Sequence, residues 1–436
     1  MKTFARGIHP PENKGLTEEK PIKEAPLPKR VILPLQQNLG CACEPLVKVG
    51  DEVIEGQKIG DSPKFISAPI HASISGKVIS LDKISNLYGS AVPIVIIERQ
   101  ENSAPAPDHG PEKKLEELSA EEIRKIVREA GIVGLGGAAF PTHVKLSPPK
   151  EKKINTIIIN GCECEPYITT DHRLMLERPE EVILGARAIA KAVGAERIIF
   201  GIESNKANAI EKMKIFGVGI EVEAVKTKYP QGGEKMLIKA LLDREVPSGG
   251  LPMDVGVVVS NVSTAVAVAE AIKFNKPLIQ RVVTVTGSGV REPQNLLVRI
   301  GTPFNEIIEL CGGLTPDVAK VIMGGPMTGI TVSSLESPLI KANNCLLVLN
   351  KNEAKIYEEK NCIRCGRCIK ACPVGLMPNY LADYAKAKNW DKVEDYNVAD
   401  CIECGSCAYV CPSRIYLVQY FKVGKRELQL RKTACK

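Results

Sequence analysis

Apolar residues along the chain fall into short runs of two different periods. Between residues 115 and 278, β-branched runs at 155–160, 197–202, 221–225 and 255–260 predict buried strands. They alternate with segments of helical spacing at 179–193, 204–215, 234–242 and 264–273. Strands apolar on both faces and separated by helices specify an α/β unit with a largely parallel sheet. Ser119, with Glu122 three residues later, forms a capping box that opens a helix reaching Ala130. Upstream, residues 31–100 hold short strands broken by Gly-Asp and Ser-Gly turns, which predict a small barrel or sandwich. Downstream, residues 279–345 carry strands around 287–289 and a short helix at 304–310, a β-grasp-like insert. Residues 350–421 read as a helical, cysteine-rich unit, and 422–436 as a basic helical tail with a frayed end. Residues 1–30, rich in Pro, Lys and Glu, read as an irregular arm, and residues 101–114 as a linker by composition. The fold class is therefore multidomain α/β and β.

Composition narrows the function classes. With 44% hydrophobic and 25% charged residues in 436, the chain is neither disordered nor fibrous. No apolar run approaches the ~18 residues a membrane helix needs. The first residues lack the apolar core of a signal peptide, so a cytoplasmic location is expected. Lys and Arg number 58 against 51 Asp and Glu, a net of +7. Aromatic residues are 4%, too sparse for base-stacking platforms, so no nucleic-acid partner is expected. The basic excess suits an anionic cofactor, an acidic partner or a membrane surface.

Fifteen cysteines change the picture. Without an export signal they point to metal or redox chemistry rather than disulfides. Eight form two runs, Cys362-Ile-Arg-Cys365-Gly-Arg-Cys368-Ile-Lys-Ala-Cys372-Pro373 and Cys401-Ile-Glu-Cys404-Gly-Ser-Cys407-Ala-Tyr-Val-Cys411-Pro412. Both read C-x2-C-x2-C-x3-C-P, the bacterial two-cluster ferredoxin pattern. Three thiolates on a tight loop reach three irons of one cubane, while the fourth cysteine turns to the other cluster. This assigns Cys362, Cys365, Cys368 and Cys411 to one [4Fe–4S] cluster, and Cys372, Cys401, Cys404 and Cys407 to the second. Zinc, satisfied by two C-x2-C pairs, is the alternative. Of the other seven cysteines, most read as small buried hydrophobes; the C-x-C pairs Cys41/Cys43 and Cys162/Cys164 have no partner pair at cluster spacing.

A second site is marked by Gly134-Leu135-Gly136-Gly137-Ala138-Ala139-Phe140-Pro141-Thr142-His143-Val144-Lys145. Several glycines let backbone N–H groups converge on an anion, with Lys145 adding charge. Three polar segments at strand ends or helix starts accompany it: Asn160-Gly161-Cys162-Glu163-Cys164-Glu165-Pro166, Tyr229-Pro230-Gln231-Gly232-Gly233-Glu234 and Asn261-Val262-Ser263-Thr264. Ligands of α/β sheets bind at strand carboxyl ends, where these groups collect. Each segment alone also reads as a helix cap or turn.

These four segments resemble the flavin- and NADH-binding subunit of respiratory complex I. The resemblance implies non-covalent FMN held by Gly134, Gly136, Gly137, Ala138, Lys145, Asn160, Tyr229, Asn261, Val262 and Thr264. It implies that Glu163, Glu165 and Glu234 face the flavin and NADH. Cys162 and Gly233 depart from that family's carboxylates. Residues 45–60 and 68–78 resemble lipoyl- or biotinyl-type barrel-sandwich domains, but Lys64 lacks the flanking residues of a modified lysine, so a structural barrel is expected. The whole order, from Phe4-Ala5-Arg6-Gly7-Ile8-His9-Pro10 through barrel, flavin domain, β-grasp (SLBB-like) insert and cluster motifs, resembles the C subunit of the Rnf electron-transport complex. That family implies a peripheral subunit on the cytoplasmic face of the membrane. It would exchange electrons with NADH/NAD+ beside the other subunits of an ion-translocating ferredoxin:NAD+ oxidoreductase. Two alternatives remain open: a flavin and iron–sulfur cobalamin reductase of a bacterial microcompartment, and a non-catalytic electron-relay and docking subunit.

Overall fold

The computed structural model describes residues 1–85, 91–100 and 112–434. Most of the expected linker and Cys435 lie outside the described residues. The strand and helix pattern is expressed nearly as read. Four parallel strands, Glu221–Val225, Arg197–Glu203, Thr156–Gly161 and Val257–Asn261, form one sheet in that spatial order. Helices Pro179–Val193, Ala207–Phe216, Glu234–Leu242 and Val262–Phe274 join or follow them. The Ser119 capping box is formed in full at the head of Ala120–Glu129. Ile157, Ile159, Ala186, Ile189, Val268 and Ile272 are fully buried in the core between this sheet and its helices.

The segment before it is a sandwich of a four-stranded and a three-stranded antiparallel sheet. Two extra helices, Thr142–Lys145 and Thr170–Glu177, were not evident in the pattern, being short and polar. The β-grasp-like unit has a six-stranded mixed sheet packed on the helix Phe304–Glu309. Residues 287–289 are not strand but the turn after Gln280–Thr286, where Gly287 takes a φ of +105°. The strand Cys345–Asn350 lies inside this sheet.

Both chain ends differ from their expected character. The arm contributes the strand Ile22–Glu24, parallel to Gln294–Arg299. The basic tail is the continuation of one helix, Leu417–Ala434, whose Phe421 and Leu428 are buried in the core of the cysteine-rich unit. No helix among the described residues is long and apolar enough to cross a membrane.

Candidate functional site

The parallel sheet reverses its winding between Thr156–Gly161 and Val257–Asn261, because the chain leaves the former toward Arg197–Glu203 and returns on its other side. Such a switch point opens a crevice at the strand carboxyl ends. Asn160 and Asn261 are register partners there. Asn160 Nδ2 donates to the Gly232 carbonyl at 2.8 Å, and its Oδ1 accepts the Cys162 N–H at 3.1 Å. Asn261 Oδ1 caps the helix Val262–Phe274 by accepting Ser263 N–H at 2.8 Å.

The Gly-rich segment crosses this crevice. Leu135 N–H donates to Thr264 Oγ1 at 2.9 Å, and Gly136 lies so close to Asn261 that a Cβ would sit 2.7 Å from its Cγ. Gly136, Gly137 and Ala138 are exposed, and their N–H groups have no intramolecular partner among the described residues. Three consecutive free donors beside a helix N-terminus make an anion cradle. Lys145 ends the short helix after this loop and pairs with Glu234 Oε1 at 2.5 Å, at the start of Glu234–Leu242. The crevice thus gathers Gly134, Gly136, Gly137, Ala138, Lys145, Asn160, Glu234, Asn261 and Thr264, whereas Val262 is fully buried in the core.

Three other expected residues have different surroundings. Glu163, at φ +47°, caps the helix Thr170–Glu177, accepting Asp171 N–H at 2.6 Å, Thr170 Oγ1 at 3.1 Å and His172 N–H at 3.3 Å. Glu165 accepts Met327 N–H at 2.7 Å and Thr328 N–H at 3.1 Å, and burial raises its pKa. These carboxylates are occupied by protein donors, which qualifies the expectation that they face flavin and nucleotide. Tyr229 is buried, and its hydroxyl donates to the Cys404 carbonyl at 2.7 Å, toward the cysteine-rich unit.

Sequence reasoning missed a second tier of buried charges. Asp171 accepts Asn261 Nδ2 at 2.5 Å and Ser263 Oγ at 2.6 Å. Burial and the Glu163 charge lift its carboxyl to about 6, against the pull of Ser263, Asn261 and Arg281. Arg281 reaches from the β-grasp-like sheet to the Leu135 carbonyl at 3.3 Å, and burial lowers it to about 10. Lys14 of the arm donates to the carbonyls of Glu163, Glu165 and Ile168 at 2.9, 3.0 and 2.5 Å. Lys206 donates to that of Cys162 at 2.7 Å. None of these has a spacing signal, since each is a lone charge whose partners come from elsewhere in the chain.

The cysteine motifs fold as near copies. Arg364 and Glu403 adopt φ +54° and +55°, and each N–H points at the sulfur of Cys362 or Cys401 at 3.4 Å. Cys372, Cys401, Cys404 and Cys407 line one small cavity with Val418 and Phe421. Burial raises Cys368, and the Cys411 and Cys362 thiols stand close enough to add to that rise. Cys372 is therefore grouped with Cys401, Cys404 and Cys407, and Cys411 with Cys362 and Cys368. Among the described residues no three His, Cys, Asp or Glu side chains converge on a single-ion site. Four thiols around a cavity can hold a cubane, and the doubled C-x2-C-x2-C-x3-C-P spacing favours it over zinc, which needs only two C-x2-C pairs. The free N–H cradle and the paired asparagines fit a flavin monophosphate.

Comparison with known proteins agrees unit by unit. Residues 2–102 match the RnfC barrel sandwich hybrid domain, 127–270 the Nuo51 FMN-binding domain, 282–331 the SLBB domain and 356–415 the 4Fe-4S dicluster domain. A chain of an NAD+-reducing [NiFe]-hydrogenase superposes with a TM-score of 0.50 at 19% identity, covering 73% of this chain and 63% of that one; it shares the fold. The fold and its sites thus define an FMN and two-[4Fe–4S] flavoprotein. The chain is 46% identical to the C subunit of the Na(+)-translocating ferredoxin:NAD(+) oxidoreductase complex of Acetobacterium woodii, over 98% of this chain and 97% of that one. It is equally similar to the C subunit of the proton-translocating complex of Clostridium ljungdahlii, over 98% and 94%. The C subunit of the ion-translocating complex of Rhodobacter capsulatus is 44% identical, over 85% and 73%. The chain belongs to this family of C subunits of ion-translocating ferredoxin:NAD+ oxidoreductase complexes.

Proposed function

We propose that the chain is the NADH-reacting, peripheral subunit of such a membrane complex, on its cytoplasmic face, in ferredoxin:NAD+ oxidoreduction coupled to ion translocation. The carrying observation is the switch-point crevice, where Asn160, Asn261 and the free N–H groups of residues 136–138 meet beside the cysteine-rich unit. The chemistry a bound FMN would supply is hydride exchange with nicotinamide and single-electron exchange with [4Fe–4S] clusters. The chain's own residues bind and orient. Gly136, Gly137 and Ala138 offer N–H donors to a phosphate, with Lys145 nearby. Asn160 and Asn261, each with one N–H given to a protein acceptor, keep a second N–H to offer a flavin edge. Glu234, next to Lys145, is the carboxylate of the three best disposed toward the nucleotide. Tyr229, bonded to the Cys404 carbonyl, ties the crevice to the loop of Cys401, Cys404 and Cys407.

The test is an anaerobic NADH titration of the FMN- and cluster-loaded protein, followed by visible absorbance and EPR. Flavin bleaching with reduced-cluster signals is expected. Reduction by dithionite but not by NADH would replace this reading with an electron-relay subunit.

A further inference from the structure

The two cysteine motifs are near copies, but their surroundings are opposite. The second is packed against the β-grasp-like unit through Met327 and against the flavin unit through Ser248 and Gly249. A Cβ on Gly405 would meet the Met327 carbonyl at 2.8 Å, and Asp400 accepts Ser248 Oγ at 2.5 Å and Gly249 N–H at 3.1 Å. Glu403 is paired with Lys425 at 2.7 Å. The first motif is open. A Cβ on Gly366 would meet nothing within 4 Å, Cys365 is exposed, and Ile363 is 68% exposed. At the position equivalent to Glu403 stands Arg364, and neither it nor Arg367, both exposed, has a carboxylate within ion-pair distance among the described residues. Ser413 Oγ donates to the Asn361 carbonyl at 2.9 Å, which brings Arg414 to the start of this loop; Arg414 lies over the Tyr357 ring at 4.3 Å, and the Tyr416 hydroxyl donates to the Tyr357 carbonyl at 3.1 Å. Of the neighbouring acids, Glu359 is already paired with Lys386.

Exposed Ile, Tyr and Arg in one patch are the composition of an interface core. Unpaired cations around it steer and select an acidic counterpart. On the reading that this chain is an electron-transferring subunit, we propose that the loop of residues 362–368, with Tyr357, Arg414 and Tyr416, docks an acidic electron-carrying subunit of the same complex. One electron crosses per encounter, so the partner's centre changes by one electron as this chain changes by one in the opposite sense. Two encounters match one hydride. The second motif, covered by the β-grasp-like and flavin units, cannot serve this purpose.

The test adds purified chain back to membrane complex prepared without it, and measures the dissociation constant at several salt concentrations. R364E/R367E is expected to weaken binding at least tenfold, and R364Q/R367Q by less, with a shallower salt dependence than wild type. K212E, a charge reversal on the flavin unit, is expected to bind as wild type. NADH bleaching and both cluster signals, read on each isolated variant, report folding and test the functional reading separately. Wild-type affinity and salt dependence in both Arg364/Arg367 variants would overturn the docking face, as would equal weakening by K212E. Should the charge-reversed variant lose its cluster signals, the glutamine variant decides. Failure of NADH to reduce the wild-type chain would overturn the functional reading and leave the binding result to judge the face.

Discussion

At the scale of single residues, the crevice depends on how Asn261 is held. Its amide is fixed by Asp171 on one end, by the Ser263 N–H on the other and by the missing side chain of Gly136. The glycines and asparagines were legible because turns and strand ends have a local signature. Asp171 was not, because a carboxylate in the first turn of a helix ordinarily serves the helix dipole. Its burial has a consequence for pH. The folded-state value, about 6, lies above the usual aspartate value, so the fold favours the protonated form. That contribution to stability is complete below about pH 4, declines as pH rises, and is lost above about pH 6. Asp171→Asn cannot ionise, and the Ser263 hydroxyl can turn to accept from the new amide. Thermal unfolding between pH 4 and 7 should therefore show wild type losing more stability than the variant. Glu203, lifted by burial to about 7, slopes in the same sense in both proteins and cancels in the difference. Parallel profiles would mean that Asp171 ionises freely in the fold.

At the scale of elements, long periodic segments were readable, and segments that borrow their order were not. The helices at 179–193 and 234–242 match the observed elements because their own apolar stripes are buried. The arm has no such stripe. Its strand exists because Gln294–Arg299 offers an edge, and Ile8 and Tyr229 exchange two backbone bonds at 2.9 Å. The tail, read alone, looks like a solvated basic helix, yet Lys425 donates to the Cys401 carbonyl at 2.6 Å. Lys14 is the clearest case of an arm residue serving the site. One ammonium satisfies three carbonyls of the loop that follows Asn160. Methionine fills similar volume but offers no donor, so Lys14→Met leaves those carbonyls unpaired in a buried place. Each buried unsatisfied group costs about 1–3 kcal/mol; partial relaxation should leave a net loss of about 3 kcal/mol. Removing the burial penalty on the ammonium offsets part of this, since burial already lowers the Lys14 pKa. A urea midpoint unchanged from wild type would show that the arm merely lies on the surface of the flavin unit.

At the scale of the whole molecule, the order of units was legible because each has its own period, and the seams between them were not. Single buried residues make those seams: Lys341 donates to the Pro69 and Gly131 carbonyls at 2.7 Å each, joining sandwich to flavin unit. Sequence spacing points to one long-range connection, the crossing of the fourth cysteine between motifs. Cys372 lies in the first motif by sequence and lines the cavity of Cys401, Cys404 and Cys407 in space. That cavity is the one next to Tyr229 and the flavin unit, whereas Cys365 of the first motif is exposed. Cys372→Ala should therefore damage the inner cluster while leaving Cys362, Cys365, Cys368 and Cys411 able to hold the outer one. With dithionite, EPR should show loss of one cluster signal. With NADH, the flavin should still bleach, but the surviving signal should appear far more slowly than in wild type, because the inner position is the link to the crevice. Cys411→Ala should do the reverse, sparing fast reduction of the inner cluster. If the two variants exchanged these phenotypes, either the motifs would not be crossed or the electron route would run through the outward-facing loop first, and the cluster signal that each variant loses would say which.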